Sequence, residues 1–328
     1  MNRANGYTST ARVPLLEKPE PAMKRRVPIF VMFVGALGCH TASVPLPSLA
    51  ATTGADTNGM IARGEYIVRN AGTCGACHNP NHDINGVLSG GAEFKDWRLG
   101  TIRSANLTSD SETGLGAWSD ADIVRAMRTG QRKDGRLLAP VMPYEWLNEM
   151  SDRDAFAVAR YLKSLPAVRH EVRQSPGLFL RLARAVFLRP KPGTIQEAPV
   201  RGPTAQYGQY LAQHVALCAE CHTPTGGIQS TPDRGRMFAG RAHPPRDFPA
   251  NPANLTPDTA TGIGRWTEAD FVQTIRTGVN PMGDSLHSFM PWRAVRRMTD
   301  DDLRSIYRYL RSITPVRNEV PRRTANAG

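Results

Sequence analysis

Apolar residues with helical spacing form two sets of predicted helices, in the same order in the N-terminal and C-terminal halves of the chain. The last helix of each set has one apolar stripe, and a capping pair marks its start. These pairs are Ser151 with Asp154, and Thr299 with Asp302. The stripes comprise Phe156, Ala159, Tyr161 and Leu162 in one helix, and Leu303, Ile306, Tyr309 and Leu310 in the other.

Two earlier helices are predicted in each half. The first covers residues 60–69 and, in the second half, residues 205–214. The next begins at a capping pair and ends at a glycine, which is a common helix stop signal. Its boundaries are Ser119 with Asp122 and then Gly130, and Thr267 with Asp270 and then Gly278. Because no alternating pattern of strand length accompanies these helices, the sequence predicts an all-α fold.

The two halves also match residue by residue. The segment from Asn106 to Trp118 aligns with the segment from Asn254 to Trp266, and the match continues to the last helix. A repeat this long indicates two homologous domains produced by internal duplication, and not a solenoid. We therefore expect domains at residues 59–172 and 204–320, with a targeting segment and tether at 1–58, a connector at 173–203 and a tail at 321–328.

Each half contains one Cys-x-x-Cys-His motif, the attachment signature of c-type haem. The two thiols form thioethers with the haem vinyl groups, and the adjacent histidine ligates the iron. A single copy is compatible with a redox dithiol or half a zinc site, but two copies inside one repeat predict two covalently bound haems. The predicted attachment residues are Cys74, Cys77 and His78, and Cys218, Cys221 and His222.

A six-coordinate haem needs a second iron ligand, and methionines occur at two equivalent pairs of positions. Met142 and Met290 are each followed by proline, which suits a loop that holds one sulfur in place. Met150 and Met298 directly precede helix caps, where apolar residues close a helix entrance. We therefore predict Met142 and Met290 as ligands. Four unrepeated histidines compete less well: His82, His214, His243 and His287.

Asn106 and Asn254 occupy equivalent positions and have two open interpretations. Each amide either donates to a haem propionate or shapes a turn.

The formal net charge is +12, and a large part of the excess lies in the first 26 residues. The propionates of two haems would offset more of it. No basic stripe interleaved with aromatic residues supports nucleic-acid binding. An acidic redox partner or an anionic membrane surface fits this charge better.

The N-terminus resembles a targeting segment. A basic stretch that starts at Met23 precedes an apolar run over residues 27–38, which has signal-peptide length. Met23 is a candidate start of translation. The run ends at Cys39, the one cysteine outside the haem motifs, in a context similar to a bacterial lipoprotein signal. Lipidation of Cys39, cleavage near Ala50, an uncleaved anchor and an inert thiol all remain open.

Four features of the sequence together indicate a family resemblance. They are the haem motifs, the Asn-Leu-Thr-x-Asp-x-x-Thr-Gly-x-Gly-x-Trp segments, the Arg-Thr-Gly sequences, and Met-Pro before a helix that contains Arg-Tyr-Leu. Over about residues 60–320, the chain resembles the cytochrome c subunits of bacterial membrane-bound dehydrogenases for alcohols, aldehydes and gluconate-type sugar acids. The resemblance implies tandem class I cytochrome c folds in the periplasm. It also implies haem attachment and iron ligation at the matching motif residues.

The expected function is electron transfer from a dehydrogenase subunit to the respiratory chain, through an oxidase, quinone or another cytochrome. The chain is not expected to be an enzyme by itself. The main alternative is a dihaem enzyme, peroxidase-like or thiosulfate-oxidising, with one open or labile iron; a haem-based sensor ranks lowest. Within the connector, residues 177–189 form an apolar stretch with arginines. This stretch either contacts a membrane or dehydrogenase surface, or packs between the haem domains.

Overall fold

The computed structural model describes residues 54–96, 99–186, 190, 197–226, 231–242 and 250–321. The predicted targeting segment up to residue 53, Cys39 and His243 therefore lie outside the described residues. The N-terminal half contains α1 (Gly54–Tyr66), α2 (Gly75–His78), β1 (Glu93–Asp96), β2 (Gly100–Arg103), α3 (Asp120–Thr129), α4 (Tyr144–Leu147) and α5 (Asp152–Ser164). A π-helical turn, Ile67–Ala71, extends α1 toward the first haem motif.

The connector contains β3 (Ser175–Pro176) and α6 (Leu178–Val186). The C-terminal half then contains α7 (Ala205–Tyr210), α8 (Cys218–His222), β4 (Thr225–Gly226), β5 (Thr231–Pro232), α9 (Glu268–Thr277), α10 (Trp292–Val295) and α11 (Asp300–Ser312). A second π-helical turn, Leu211–Val215, joins α7 to the second haem motif. The order of helices in this half follows that of the first. Among the described residues, no helix has the length and apolar character needed to span a bilayer.

The helix boundaries predicted from capping signals are confirmed. Ser119 and Asp122 exchange side-chain-to-backbone hydrogen bonds at the start of α3, and Thr267 and Asp270 do the same at the start of α9. The glycines that end these helices adopt the left-handed conformation, with φ of 75° and 74°. Ser151 and Thr299 cap α5 and α11, and the predicted apolar stripes of these helices are buried.

The all-α prediction is wrong, because the chain also forms antiparallel strands. β1, β2 and β3 make a three-stranded sheet in which Phe94 pairs with Ile102 and Thr101 pairs with Ser175. β4 and β5 form a second, two-stranded ladder. The strands have at most four residues, and Ile102 is the one fully buried side chain of β1 and β2. An alternating pattern this short has too few positions to be recognised in a sequence.

The first and last helices of each half pack with their backbones in close contact. A Cβ atom at Gly64 of α1 would lie 2.0 Å from the carbonyl oxygen of Ala157 in α5. A Cβ atom at Gly208 of α7 would lie 1.8 Å from the carbonyl oxygen of Ser305 in α11. Only glycine fits at such distances, which explains why a Gly-x-Tyr sequence precedes both haem motifs.

Two tyrosines join the halves reciprocally. The Tyr66 hydroxyl donates a hydrogen bond to the Asp302 carboxylate at 2.5 Å, across 236 residues of sequence. The Tyr210 hydroxyl donates to the Asp154 carboxylate at 2.8 Å. Each helix that leads into a haem motif is therefore bound to the first turn of the other half's last helix.

Asp154 also forms a buried ion pair with Arg63. The Nε and Nη2 atoms of Arg63 donate to its two carboxylate oxygens at 2.9 and 2.8 Å. Burial alone raises the pKa of the Asp154 carboxyl, but the Arg63 guanidinium and the Tyr210 hydroxyl outweigh burial and hold it below its ordinary value. The carboxylate therefore stabilises the fold wherever it is ionised.

Replacing Asp154 by asparagine is expected to cost about 1–3 kcal/mol of unfolding free energy at neutral pH, since Arg63 then loses a buried charged acceptor. A lowered folded-state pKa contributes stability above the unfolded value of about 3.9, and this stability is lost as the pH falls through the folded value. The wild type should therefore lose more stability than Asp154→Asn below about pH 4. Denaturant titrations across this range measure the difference. Glu65→Gln, at an exposed position on α1, the helix of Arg63, is the control and should stay within about 0.5 kcal/mol. Parallel acid profiles for the wild type and Asp154→Asn would contradict the assignment.

Candidate haem-attachment sites

Each motif histidine is oriented by one backbone carbonyl. His78 Nδ1 lies 2.8 Å from the Ala105 oxygen, and His222 Nδ1 lies 2.8 Å from the Ala253 oxygen. A carbonyl only accepts hydrogen bonds, so Nδ1 must carry the proton, and Nε2 is left with a free lone pair. Iron-bound histidines have this arrangement, because the second hydrogen bond fixes the tautomer and the ring orientation.

Glycines in the loop after each motif allow the histidine to approach the carbonyl of Ala105 or Ala253. The Gly90 backbone N–H donates to the His78 oxygen at 2.8 Å, and the Gly240 N–H donates to the His222 oxygen at 2.7 Å. Gly90 has φ of 75°, and a Cβ atom there would lie 2.4 Å from the Ala105 carbonyl carbon. The loop after each motif can approach so closely only because it has glycine at this point.

Asn106 shapes the turn that presents the Ala105 carbonyl. Its Nδ2 atom donates to Val168 O at 2.8 Å and to Thr113 Oγ1 at 3.1 Å, and its Oδ1 atom accepts from the Thr108 backbone. Asn254 makes the equivalent set of bonds in the C-terminal half. Both N–H groups of each amide are thus used within the protein. The turn-shaping interpretation applies, and no amide proton is left for a propionate.

Three of the motif cysteines, Cys74, Cys218 and Cys221, are partly buried, and Cys77 is exposed. Burial raises the pKa of Cys74 and that of Cys218 to about 12. A redox-active dithiol instead has a lowered pKa that favours the thiolate. The described residues also include no group of three or more His, Cys, Asp or Glu side chains arranged to hold a metal ion. The donor sets therefore fit haem attachment better than a redox dithiol or a zinc site.

The predicted methionine ligands lie in two loops of the same geometry. The Met142 N–H donates to Ala139 O at 3.0 Å, and the Met290 N–H donates to His287 O at 3.0 Å. Pro143 and Pro291 then begin the short helices α4 and α10. Both methionines are partly exposed and pack against the same hydrophobic cluster as Cys74 and Cys218.

Met150 and Met298 differ from this pair, because each is 1% exposed within the core. Their sulfurs are therefore enclosed by other side chains.

Three of the competing histidines also make hydrogen bonds through Nδ1, and for His82 and His214 the partner is again a backbone carbonyl. His78 and His222 differ from them by lying directly after a Cys-x-x-Cys sequence. His82 Nδ1 contacts Ala76 O at 2.7 Å, and His214 Nδ1 contacts Trp146 O at 2.8 Å. His287 Nδ1 accepts from the Phe289 backbone N–H at 3.1 Å. In its neutral form, His287 then carries its proton on Nε2, which leaves no lone pair there for a metal.

The two haem motifs are neighbours across the contact between the halves. A Cβ atom at Gly72, two residues before Cys74, would lie 3.3 Å from Val215 O, three residues before Cys218. Burial raises the pKa of the Cys77 thiol, and the carboxylate of Glu220 in the second motif raises it further. The motifs are therefore close enough to interact electrostatically.

Sequence reasoning missed two kinds of residue at these sites. The carbonyls of Ala105 and Ala253 have no side-chain signature, although both directly precede the repeated Asn-Leu-Thr segments. Glu220 was also missed; its carboxylate accepts a hydrogen bond from the side chain of Trp146 in the other half. Burial raises the pKa of this carboxyl, and Arg241 and Trp146 oppose that shift.

Comparison with known proteins finds several cytochromes c among the relatives of this chain. No protein-family model matches the chain. It is 32% identical over 287 residues to the cytochrome c subunit of a quinone-dependent alcohol dehydrogenase from Gluconacetobacter polyoxogenes, covering 82% of this chain and 59% of that subunit. It is 31% identical to the gluconate 2-dehydrogenase cytochrome c subunit of Pantoea cypripedii, covering 77% and 59%.

A third relative is closer in length. The chain is 27% identical to a dihaem cytochrome c of Cereibacter sphaeroides, covering 80% of this chain and 88% of that protein. By contrast, the chain spans less than two thirds of the length of the dehydrogenase subunits. Over most of its own length, the chain is a homologue of the cytochrome c subunits of bacterial alcohol and gluconate dehydrogenases.

Proposed function

We propose that this protein is a dihaem c-type cytochrome that passes electrons from a dehydrogenase catalytic subunit to an acceptor of the respiratory chain. One haem would be attached at Cys74 and Cys77 and the other at Cys218 and Cys221. The observation that carries the proposal is that both motif histidines are held by a backbone carbonyl with Nε2 free for iron. The names of the relatives support the same role.

Haem supplies one-electron redox chemistry when it is bound, and the protein sets its ligands and surroundings. His78 and His222 would each hold an iron through an imidazole nitrogen, and Met142 and Met290 would each hold an iron through a thioether sulfur. The His78 ring is held by Ala105, and the Met142 loop is closed by the turn before α4. Ligands that are already fixed in place move little when the charge on the metal changes. This arrangement suits a carrier.

The short separation of the motifs supports transfer between the two sites. Glu220 lies in the second motif and affects the Cys77 thiol of the first. We propose that an electron entering at one haem site passes to the other within the same molecule. The hydrogen bonds of Tyr66 and Tyr210 between the two halves would keep the distance between the two haem sites constant.

We propose a periplasmic location, because c-type haem is attached outside the cytoplasm. The predicted N-terminal anchor, with Cys39 as a possible lipidation site, would tether the protein to the membrane. The electron donor would be a dehydrogenase catalytic subunit, and the acceptor an oxidase, a quinone or another cytochrome.

Purification of the tagged chain from its native membranes tests this role. A large subunit should co-purify, and addition of that subunit's substrate should reduce the haem absorbance of the complex. A chain that arrives alone and is not reduced by any dehydrogenase present in the membranes would contradict the proposed partner.

Replacing Met142 or Met290 by alanine is expected to lower the reduction potential of one haem by about 0.1 V or more, since axial ligands set haem potentials over roughly 0.8 V. The same variants should make one ferrous haem bind carbon monoxide. Redox titration and carbon monoxide difference spectra measure these effects. Met150→Leu and Met298→Leu are the matched controls, because these methionines are core residues and leucine has a similar volume. A control that shifts a potential as far as the alanine variants would contradict the ligand assignment.

A further inference from the structure

Three large apolar side chains of helix α6 are exposed, and one is buried, among the residues whose burial the structure describes. Leu178, Phe179 and Leu182 are 71%, 55% and 57% exposed, whereas Leu180 is 1% exposed. Leu180 packs in a small cluster with Ile102 of the sheet and with Ala139. At 100° per residue, the three exposed side chains lie on one side of the helix, and Leu180 lies on the opposite side. Leu180 thus packs against the protein, and Leu178, Phe179 and Leu182 form an exposed apolar ridge.

Cations lie on the other sides of α6 and beside Arg184. Arg181 is exposed on α6, and Arg184 lies one turn after Leu180. Burial lowers the pKa of the Arg184 guanidinium, and repulsion from Arg132 and Arg136 lowers it further by a smaller amount. Asp134 forms ion pairs with both Arg132 and Arg136. The Nε atom of Arg184 is buried and has no hydrogen-bond partner in the part of the chain described by the structure.

We propose that α6 is a membrane-binding helix that lies in the interface of an anionic phospholipid bilayer. Leu178, Phe179 and Leu182 would enter the boundary between headgroups and acyl chains. Arg181, which is exposed, would contact lipid phosphates, and the cluster of Arg184, Arg132 and Arg136 would add positive charge that attracts an anionic surface. A helix with Leu and Phe on one side and Arg on the other has the pattern of interfacial helices. The inference does not rest on the proposed electron-transfer role.

Helix α6 packs beside the loop that contains Met142. Ala139, which packs against Leu180, accepts the backbone hydrogen bond of Met142. A bilayer bound at α6 would therefore lie beside the loop that carries the predicted ligand of the first haem.

Thiol labelling at α6 tests the proposal directly, because it reports the environment of this helix even if another segment tethers the chain to the membrane. Cys39→Ser removes the cysteine outside the haem motifs, and Leu182→Cys is added to this full-length, haem-loaded background. The rate of alkylation by a water-soluble maleimide is measured with phosphatidylglycerol vesicles and with phosphatidylcholine vesicles. Phosphatidylglycerol should slow labelling at least about tenfold, because the side chain moves out of water. Val200→Cys, at a position 88% exposed and outside α6, is the matched control and should label at an unchanged rate.

Adding Arg181→Gln and Arg184→Gln should abolish most of the protection. Equal protection by phosphatidylcholine would overturn the role of the cationic cluster. Undiminished labelling on phosphatidylglycerol, whether or not the chain is vesicle-bound, would overturn the proposal. Protection given by a co-purified subunit, and not by vesicles, would make this face a protein interface instead.

Discussion

Replacing Cys74 and Cys77 by alanine is expected to reduce the covalent haem content from two per chain to one. Without these thiols, no thioether can form in the N-terminal half, while Cys218 and Cys221 remain in place. Haem staining after denaturing electrophoresis and a quantitative haemochrome assay measure the ratio of haem to protein. The reciprocal variant, Cys218→Ala with Cys221→Ala, should give the same ratio.

Cys39→Ser is the control for these variants and should keep both haems, because Cys39 lies outside the motifs. Two covalent haems in the Cys74→Ala, Cys77→Ala variant would show that this motif is not an attachment site.

Replacing Gly64 or Gly208 by alanine is expected to cost about 3 kcal/mol of unfolding free energy, the upper end of typical overpacking penalties. The added methyl group would lie 2.0 Å from Ala157 O or 1.8 Å from Ser305 O, and a backbone carbonyl cannot rotate out of the way. The helices would have to separate and lose contact along their length. Denaturant unfolding followed by far-ultraviolet circular dichroism measures the loss.

Gly59→Ala provides the matched control on the same helix. Nothing lies within 4 Å of a Cβ atom at this position. The substitution should therefore stabilise α1 by about 0.5–1 kcal/mol, the usual gain of alanine over glycine in a helix. A Gly64→Ala variant as stable as Gly59→Ala would contradict the close helix contact.

Helix ends were predictable because their signals are local. Ser119 and Asp122 are three residues apart, and the side chain of each accepts a hydrogen bond from the backbone N–H of the other. Four consecutive residues are therefore enough to identify the start of α3. The strands were not predictable, because each has at most four residues, which is too short for a recognisable alternating pattern. The pairing of β2 with β3 adds a contact across more than seventy residues, which also leaves no local signal.

The haem motifs could be recognised because the attachment chemistry requires adjacent residues of fixed type. The environment of each histidine could not, since it depends on a main-chain carbonyl positioned by the Asn106 turn. The hydrogen bond between Tyr66 and Asp302 was also beyond sequence reasoning, because it joins residues 236 positions apart. Contacts at that distance depend on how the two halves pack.

A redox titration of the full-length, haem-loaded chain, followed by absorbance, tests the central claim most directly. We expect two one-electron transitions that together take up two electrons per chain, and no carbon monoxide binding by the reduced protein. One electron per chain, or a ferrous haem that binds carbon monoxide without any substitution, would contradict a dihaem carrier with both irons fully ligated.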